Sequence, residues 1–276
     1  MYRCLNPGNI GIRLDWEPCL PIATATGFEG IDVPVAVNMD VMKCRDLLAK
    51  HGLRSGGAGL PFDFRADQTT YAKGMAGFET IVKNAAAIGQ TRFVMWILSF
   101  SDDKSCPENF RFHVERLAPA AKILAAHGCS LGLEFLGPRT LREGHRYPFC
   151  RTMEHMLDLC AAVGSNVGLL LDSWHWHMSL GTIEDILTLK SSQVVYVHIN
   201  DAPAGVPVEQ QLDMVRCVPG ATGVLDLPGF LEALRKIDYD GPGVPEPFVP
   251  ELGSKTPEEA AGRVGGELRR LWSLPA

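Results

Sequence analysis

Four residues in the second half of the chain have the side-chain types that bind cations and move protons. They are Glu134 in Leu131-Gly-Leu-Glu-Phe-Leu-Gly, Asp172 in Leu169-Leu-Leu-Asp-Ser-Trp-His, His198 in Val195-Tyr-Val-His-Ile-Asn-Asp and Glu246 in Gly243-Val-Pro-Glu-Pro-Phe. Each stands at the end of a short apolar run. Three carboxylates and one imidazole converging on one point would repel and raise their pKa values unless a cation sat among them. An oxygen-rich donor set with one imidazole suits Mn²⁺ first, with Mg²⁺, Co²⁺ and Zn²⁺ as alternatives, and suits thiolate-seeking metals poorly. One acid at a strand end is commonly solvated or caps a helix; four successive strands placing such groups by accident is much rarer.

The elements that must position these residues follow from the hydrophobic pattern. Strand-like runs at Asn9–Leu14, Gly30–Val33, Leu53–Leu60, Arg92–Leu98, Leu131–Phe135, Val167–Leu171, Val194–Ile199 and Gly243–Phe248 alternate with segments of helical period. The helices are expected at Asp40–His51, Thr70–Ile88, Pro107–His127, Thr152–Val163, Thr182–Leu189, Pro228–Ile237 and Pro257–Leu271, several of them stopped by glycine. Such alternation implies parallel strands with crossover helices, and runs such as Val167-Gly-Leu-Leu-Leu read as strands buried on both faces. Eight units in 276 residues fit a single α/β domain, residues 1–276, folded as a (β/α)8 TIM barrel with an eight-stranded parallel core. A doubly wound sheet lacks support, because no G-x-G-x-x-G follows the first strand. In a barrel, catalytic residues sit at the C-terminal ends of the strands, and the four residues named above are placed there.

These segments also carry a family resemblance. The Glu134 strand, Asp172-Ser-Trp-His175, His198-Ile-Asn-Asp201 and Gly241-Pro-Gly-Val-Pro-Glu246-Pro-Phe, with Val218-Pro-Gly-Ala-Thr-Gly-Val-Leu-Asp-Leu-Pro-Gly-Phe-Leu between them, resemble the xylose-isomerase-like TIM-barrel superfamily. The sugar isomerases and epimerases in it, including ketose 3-epimerases, hydroxypyruvate isomerases and inosose-processing enzymes, are closest in layout. The resemblance implies a divalent site of Glu134, Asp172, His198 and Glu246, in which Glu134 and Glu246 flank a carbohydrate substrate and exchange its proton. A cation on a sugar carbonyl acidifies the adjacent C–H, and a carboxylate within reach removes the proton.

By the same resemblance His175 touches a substrate oxygen. Arg216 is a candidate clamp for a substrate oxygen or carboxylate, Trp174 and Trp176 are candidate sugar-stacking faces, and Asp201 is a candidate partner orienting a ligand. Two departures matter. Pro219-Gly-Ala-Thr-Gly223 lacks the acid of the relatives' Pro-Gly-Glu-Gly, and Pro245 removes a ladder donor just before Glu246. In the N-terminal half, Glu29, Asp32, Asp63 and Asp102 stand near strand ends within reach of a pocket, and Gly56-Gly57-Ala-Gly59 reads as a flexible loop.

Composition bounds the function classes. A formal charge of −6 and a pI near 5.8 argue against a nucleic-acid partner, including the endonuclease IV-like DNA-repair branch of this fold, which needs a trinuclear zinc site and a basic face. The longest apolar run, Phe93–Leu98, is far short of the ~20 residues of a membrane helix. Residues 1–20 hold Arg3, Arg13, Asp15 and Glu17, so no signal peptide is read and a cytoplasmic location is expected. Eight scattered cysteines without a C-x-x-C read as reduced, buried thiols. The leading expectation is a metal-dependent sugar isomerase or epimerase; the exposed helix ring is compatible with a homo-oligomer, a dimer or tetramer, and the sequence does not fix which state forms. A lyase on a keto-glycoside or inosose shares its first step, and a non-catalytic sugar-binding or partner subunit is the remaining alternative.

Overall fold

The computed structural model describes residues 1–274, so the last two positions of the expected 1–276 domain lie outside it. In chain order the elements are β1 (Tyr2–Leu5), α1 (Trp16–Ala25), β2 (Gly30–Ile31), α2 (Val41–His51), β3 (Arg54–Ser55), β4 (Gly57–Gly59), α3 (Gln68–Met75), α4 (Phe78–Ala87), β5 (Arg92–Ile97) and β6 (Phe100–Ser101). Then come α5 (Cys106–Ala126), β7 (Ser130–Phe135), α6 (Arg139–Arg142), β8 (Tyr147–Pro148), α7 (Met153–Val163), β9 (Val167–Asp172), α8 (Ser173–Met178), α9 (Ile183–Leu187), β10 (Val194–Ile199), α10 (Leu227–Lys236), β11 (Pro242–Pro245) and α11 (Pro257–Ser273).

Nine strand segments form one parallel sheet in the order β3-β2-β1-β11-β10-β9-β7-β5-β4. Its two end segments, β3 and β4, are halves of a single stretch interrupted at Gly56, so the sheet curls into a nearly closed (β/α)8 barrel. The interruption has a local cause: a Cβ at Gly56 would collide with Asp32 Oδ1 and Cys4 Sγ, so only glycine lets β2 and β4 approach there. The run Gly56–Gly59, expected as a flexible loop, is therefore mostly strand.

Helices cover the outside of the sheet. In α10 the buried residues Leu227, Phe230, Leu231 and Leu234 fall at helical spacing, and Asp226 caps the first turn by accepting from Gly229 N. In α11, Thr256 and Glu259 form a capping box, and Ala260, Val264, Leu268 and Leu271 face inward. Strands β9 and β10 are buried along their whole length, as expected of strands covered on both faces. Inside the barrel Tyr2, Cys4, Leu170, Tyr196 and Val244 form a second, smaller core that fills the lumen. Among the described residues every cysteine is free, and no helix is long and apolar enough to cross a membrane.

Several elements differ from the sequence reading, which has no helix where α1 stands and reads β3 and β4 as one strand. The first strand is Tyr2–Leu5, not Asn9–Leu14; Ile10 and Ile12 are buried as a strand would bury them, but Gly11 between them has φ 79° and turns the chain. The helix expected over Thr70–Ile88 is two helices, parted at Ala76 and Gly77. The last strand ends at Pro245, three residues short of Phe248, where proline can no longer donate to the ladder.

Candidate metal centre and cavity

Four neighbouring barrel strands bring the four candidate ligands together. Glu134 lies on β7, Asp172 ends β9, His198 lies on β10, and Glu246 follows β11. One donor atom from each of Glu134, Asp172, His198 and Glu246 falls in a group whose members lie within 4.8 Å of one another. Donors held at about 2.0–2.2 Å from one cation are at most about 4.4 Å apart, so the group needs to contract by only a few tenths of an ångström. The donor set fits a divalent ion.

His198 Nδ1 is the hub, 3.3 Å from Glu134 Oε1, 3.2 Å from Glu246 Oε2 and 3.7 Å from Asp172 Oδ2. Burial disfavours the imidazolium, but the surrounding carboxylates outweigh it and push the His198 pKa well up. Burial also lifts Glu134 to about 7, with the charges of Glu246 and Asp172 adding to it and His198 opposing. Asp172 goes the other way. Burial would raise it, yet the Arg216 guanidinium, the two histidines and a backbone N–H hold it at about 2. Arg216 supplies positive charge to this acid cluster, and the carboxylates favour an imidazolium at His198 that gives up its proton where Nδ1 ligates a cation.

Arg216 is almost wholly buried, and its guanidinium is fully engaged. Nη1 donates to Asp172 Oδ2 at 2.8 Å and to Glu246 Oε2 at 3.1 Å, while Nη2 donates to Asp213 Oδ1 at 2.8 Å and lies 3.1 Å from His175 Nε2. Nε donates to Asp213 O, so Asp213 grips the arginine through both side chain and backbone. His175 is buried beside it and held neutral, its pKa lowered to about 4 by burial and by the Arg216 charge. Sequence reasoning missed Asp213 as an anchor for Arg216, although its place three residues before Arg216 was a usable signal. It also missed Asn200. That buried amide donates from Nδ2 to Asp172 Oδ2 at 2.9 Å and accepts the Glu246 N–H at 2.8 Å, replacing the strand register lost at Pro245.

Several candidates take other places. Asp201 does not reach the four ligands: its carboxylate accepts from the N–H groups of Ala202, Thr222, Gly223 and Leu225 and pins that loop. Trp174 and Trp176 are 0% and 4% exposed and do not line the cavity. Trp174 packs under the Arg216 guanidinium, and Trp176 packs on Phe230 of α10. Short helix α8 turns both indoles into the protein. Of Glu29, Asp32, Asp63 and Asp102, Asp32 alone faces the cavity, accepting from Tyr196 OH at 2.7 Å, Asn6 Nδ2 at 2.9 Å and Gly57 N at 2.7 Å. Glu29 pairs with Arg3 and Asp63 with Arg65. Asp102 accepts from Arg146 N and meets His145 beside the small β6–β8 ribbon.

Glu134, His198 and Glu246 form one wall of a cavity of about 770 Å³ that opens on the side of the first five strands. Fold and site together define a (β/α)8 barrel enzyme with a candidate divalent-metal centre at the C-terminal rim of its strands. A family model described as "Xylose isomerase-like TIM barrel" matches residues 6–270, and the chain belongs to that family. An inosose isomerase of Bacillus velezensis is 28% identical over 204 residues, covering 72% of this chain and 69% of that protein. A xylose isomerase domain protein from Alicyclobacillus acidocaldarius superposes with a TM-score of 0.86 at 26% identity over 98% of both chains. The IolI protein, solved with a bound zinc atom, shares the fold at a TM-score of 0.81 and 21% identity, covering 99% of this chain and 98% of its own. Among such relatives this chain is an enzyme of the isomerase and epimerase kind.

Proposed function

We propose that the protein is a divalent-metal-dependent isomerase or epimerase of a ketose, keto-sugar or related cyclitol, working through an enediolate with Glu134 and Glu246 as its acid–base pair. The observation that carries this reading is the group of Glu134, Asp172, His198 and Glu246, three of them buried, at the wall of a cavity large enough for a sugar. A divalent cation held by those four residues, Mn²⁺ by the chemistry of the donors, would supply Lewis-acid polarisation of a carbonyl. A zinc atom in the related IolI structure supports the metal without deciding its identity.

Glu134 is suited to take a proton. Its carboxylate lies on the cavity wall beside the proposed cation site, within reach of a C–H next to a carbonyl bound there. Glu246 approaches from the end of β11, with β10 and β9 standing between it and β7, and is suited to return the proton on another side of the substrate. Arg216 and Asn200 hold Asp172 and Glu246 in place, and Asp213 holds Arg216. The family resemblance gives His175 and Arg216 a substrate oxygen to bind; a substrate reaches them only where Glu246 releases the guanidinium.

The test is a screen of Mn²⁺-loaded protein against ketoses, 3-keto-glycosides and inososes in D₂O, read by NMR. Deuterium entry with an intact carbon skeleton supports the isomerase or epimerase, and loss of water or of an aglycone would assign the lyase instead. Glu134→Gln and Glu246→Gln are each expected to cut exchange by about 10²–10⁴. Undiminished exchange in both variants would refute the acid–base pair.

A further inference from the structure

The cavity is much larger than its chemical wall requires, and its lining is of two kinds. Glu134, His198 and Glu246 occupy one wall, whereas Ile12, Leu14, Trp16, Val35, Leu60 and Trp96 give the same cavity an apolar lining. Leu14 and Trp96 are 45% and 44% exposed, large apolar side chains that folding leaves uncovered. Uncovered apolar surface next to polar groups marks a binding surface more often than an isolated exposed residue does. Trp96 stands in register with Glu134 on the adjacent strand, so the indole begins about 4.8 Å along the sheet from the proposed base. Arg65 fixes that indole. Its guanidinium lies 3.9 Å from the ring centroid, and its Nη2 donates to Trp96 O at 2.8 Å.

Charge and volume narrow the occupant. The lining residues include Asp15, Asp32, Glu134 and Glu246 but no lysine or arginine, which opposes a phosphate or carboxylate on the ligand. A free hexose has roughly a dozen non-hydrogen atoms, whereas cavities of about 300–1,000 Å³ typically enclose a drug-sized molecule. At about 770 Å³, this one would leave its apolar lining wet around a bare sugar. Gly59 enlarges the space further, since a Cβ built there meets nothing within 4 Å.

We infer that the apolar side of the cavity, formed by Trp96, Leu14 and Gly59, is a subsite for an uncharged apolar group of aromatic size carried by the sugar, so that the substrate is a neutral keto-glycoside and not a bare or phosphorylated sugar. The subsite rests on the reading above for the sugar site alone. An aromatic substituent buries enough apolar area there to dominate ground-state binding.

The experiment is calorimetric titration of the Mn²⁺-loaded protein with 4-nitrophenyl β-D-glucopyranoside and with methyl β-D-glucopyranoside, using wild type, Gly59→Leu, Trp96→Ala and Leu14→Asn. The aryl glycoside is expected to bind the wild type about tenfold more tightly or better. That ratio should fall by about fivefold or more in the variants, because Gly59→Leu fills the space and the other two remove its walls. Circular dichroism identifies any variant that fails to fold, and the remaining ones decide. Equal binding of both glycosides, binding of neither, or a ratio unchanged in the folded variants would overturn the subsite. Deuterium exchange on bare ketoses without an aryl preference would leave the proposed reaction standing and the subsite refuted. An aryl preference without exchange on any keto-sugar would do the reverse.

Discussion

Replacing Asn200 with alanine removes two hydrogen bonds that hold two of the proposed ligands from one side chain. Asn200 is fully buried, donates to Asp172 Oδ2 at 2.9 Å and accepts the Glu246 N–H at 2.8 Å. Losing a hydrogen bond to a charged group costs about 1.5–3 kcal/mol, and stranding a buried amide N–H costs about 1–3 kcal/mol. Asn200→Ala should therefore lower the stability of the metal-free protein by about 3 kcal/mol or more, read by urea unfolding. Groups supporting metal ligands typically tune affinity by about 10–100-fold, so Mn²⁺ binding, measured against a chromophoric chelator, should weaken by that factor. Asn200→Asp separates shape from charge. It keeps the acceptor for Glu246 N–H but sets a carboxylate oxygen where the amide lay, 2.9 Å from Asp172 Oδ2. Two like charges that close repel by about 6 kcal/mol at an effective dielectric constant of about 20, so one of the pair takes up a proton. The folded state then binds more protons than the unfolded chain, and this variant should gain stability as pH falls from about 8 to about 5. If Asn200→Ala unfolds within about 1 kcal/mol of wild type and binds Mn²⁺ equally well, the account of how Asp172 and Glu246 are held is wrong.

Asp201→Ala should discriminate loop anchoring from ligand support. It frees amide groups at Thr222, Gly223 and Leu225 and should cost about 2–4 kcal/mol in urea unfolding, while Mn²⁺ affinity stays within about threefold of wild type. His113 is buried among Phe64, Phe112 and Phe149, and burial lowers its pKa from the ordinary 6.5 to about 4. The unfolded chain therefore takes up the proton first as the solution is acidified, and stability falls between pH 6.5 and about 4 by about 3 kcal/mol. His113→Leu should flatten that part of the pH–stability curve, and an unchanged slope would contradict the burial argument. Gly137→Ala should destabilise by about 1–3 kcal/mol or more, because its Cβ would collide with His175 O and crowd Ser179 N at 3.0 Å; a differential scanning calorimetry Tm equal to wild type would refute the close approach.

Much of the site was legible from local pattern because strand ends are a local property. Apolar runs such as Val194–Ile199 announce a buried strand, and the residue type at the end of each run is read directly. Where local signals conflict, the tertiary structure departs from the pattern. Ile10-Gly11-Ile12 alternates like a strand but turns at Gly11, while Tyr2–Leu5, with Arg3 in its middle, is the strand that pairs with β2 and β11. The stretch around Trp174 and Trp176 looks like a sugar-stacking loop because aromatic residues flank a histidine. One turn of helix instead directs both indoles into the packing.

The amino-acid sequence alone determined that parallel strands alternate with helices and that Glu134, Asp172, His198 and Glu246 share one rim, because parallel strands all end on the same side of a barrel. It also determined the mildly acidic net charge of −6. Only the tertiary structure decided that Arg216 grips Asp172 and Glu246, that Asn200 replaces the register broken at Pro245, and that Trp96 rather than Trp174 or Trp176 faces the cavity. The physical reason lies in distance along the chain. Arg216 meets partners 44 and 30 positions away, and which neighbour a loop side chain finds depends on the packing of segments that no local pattern relates.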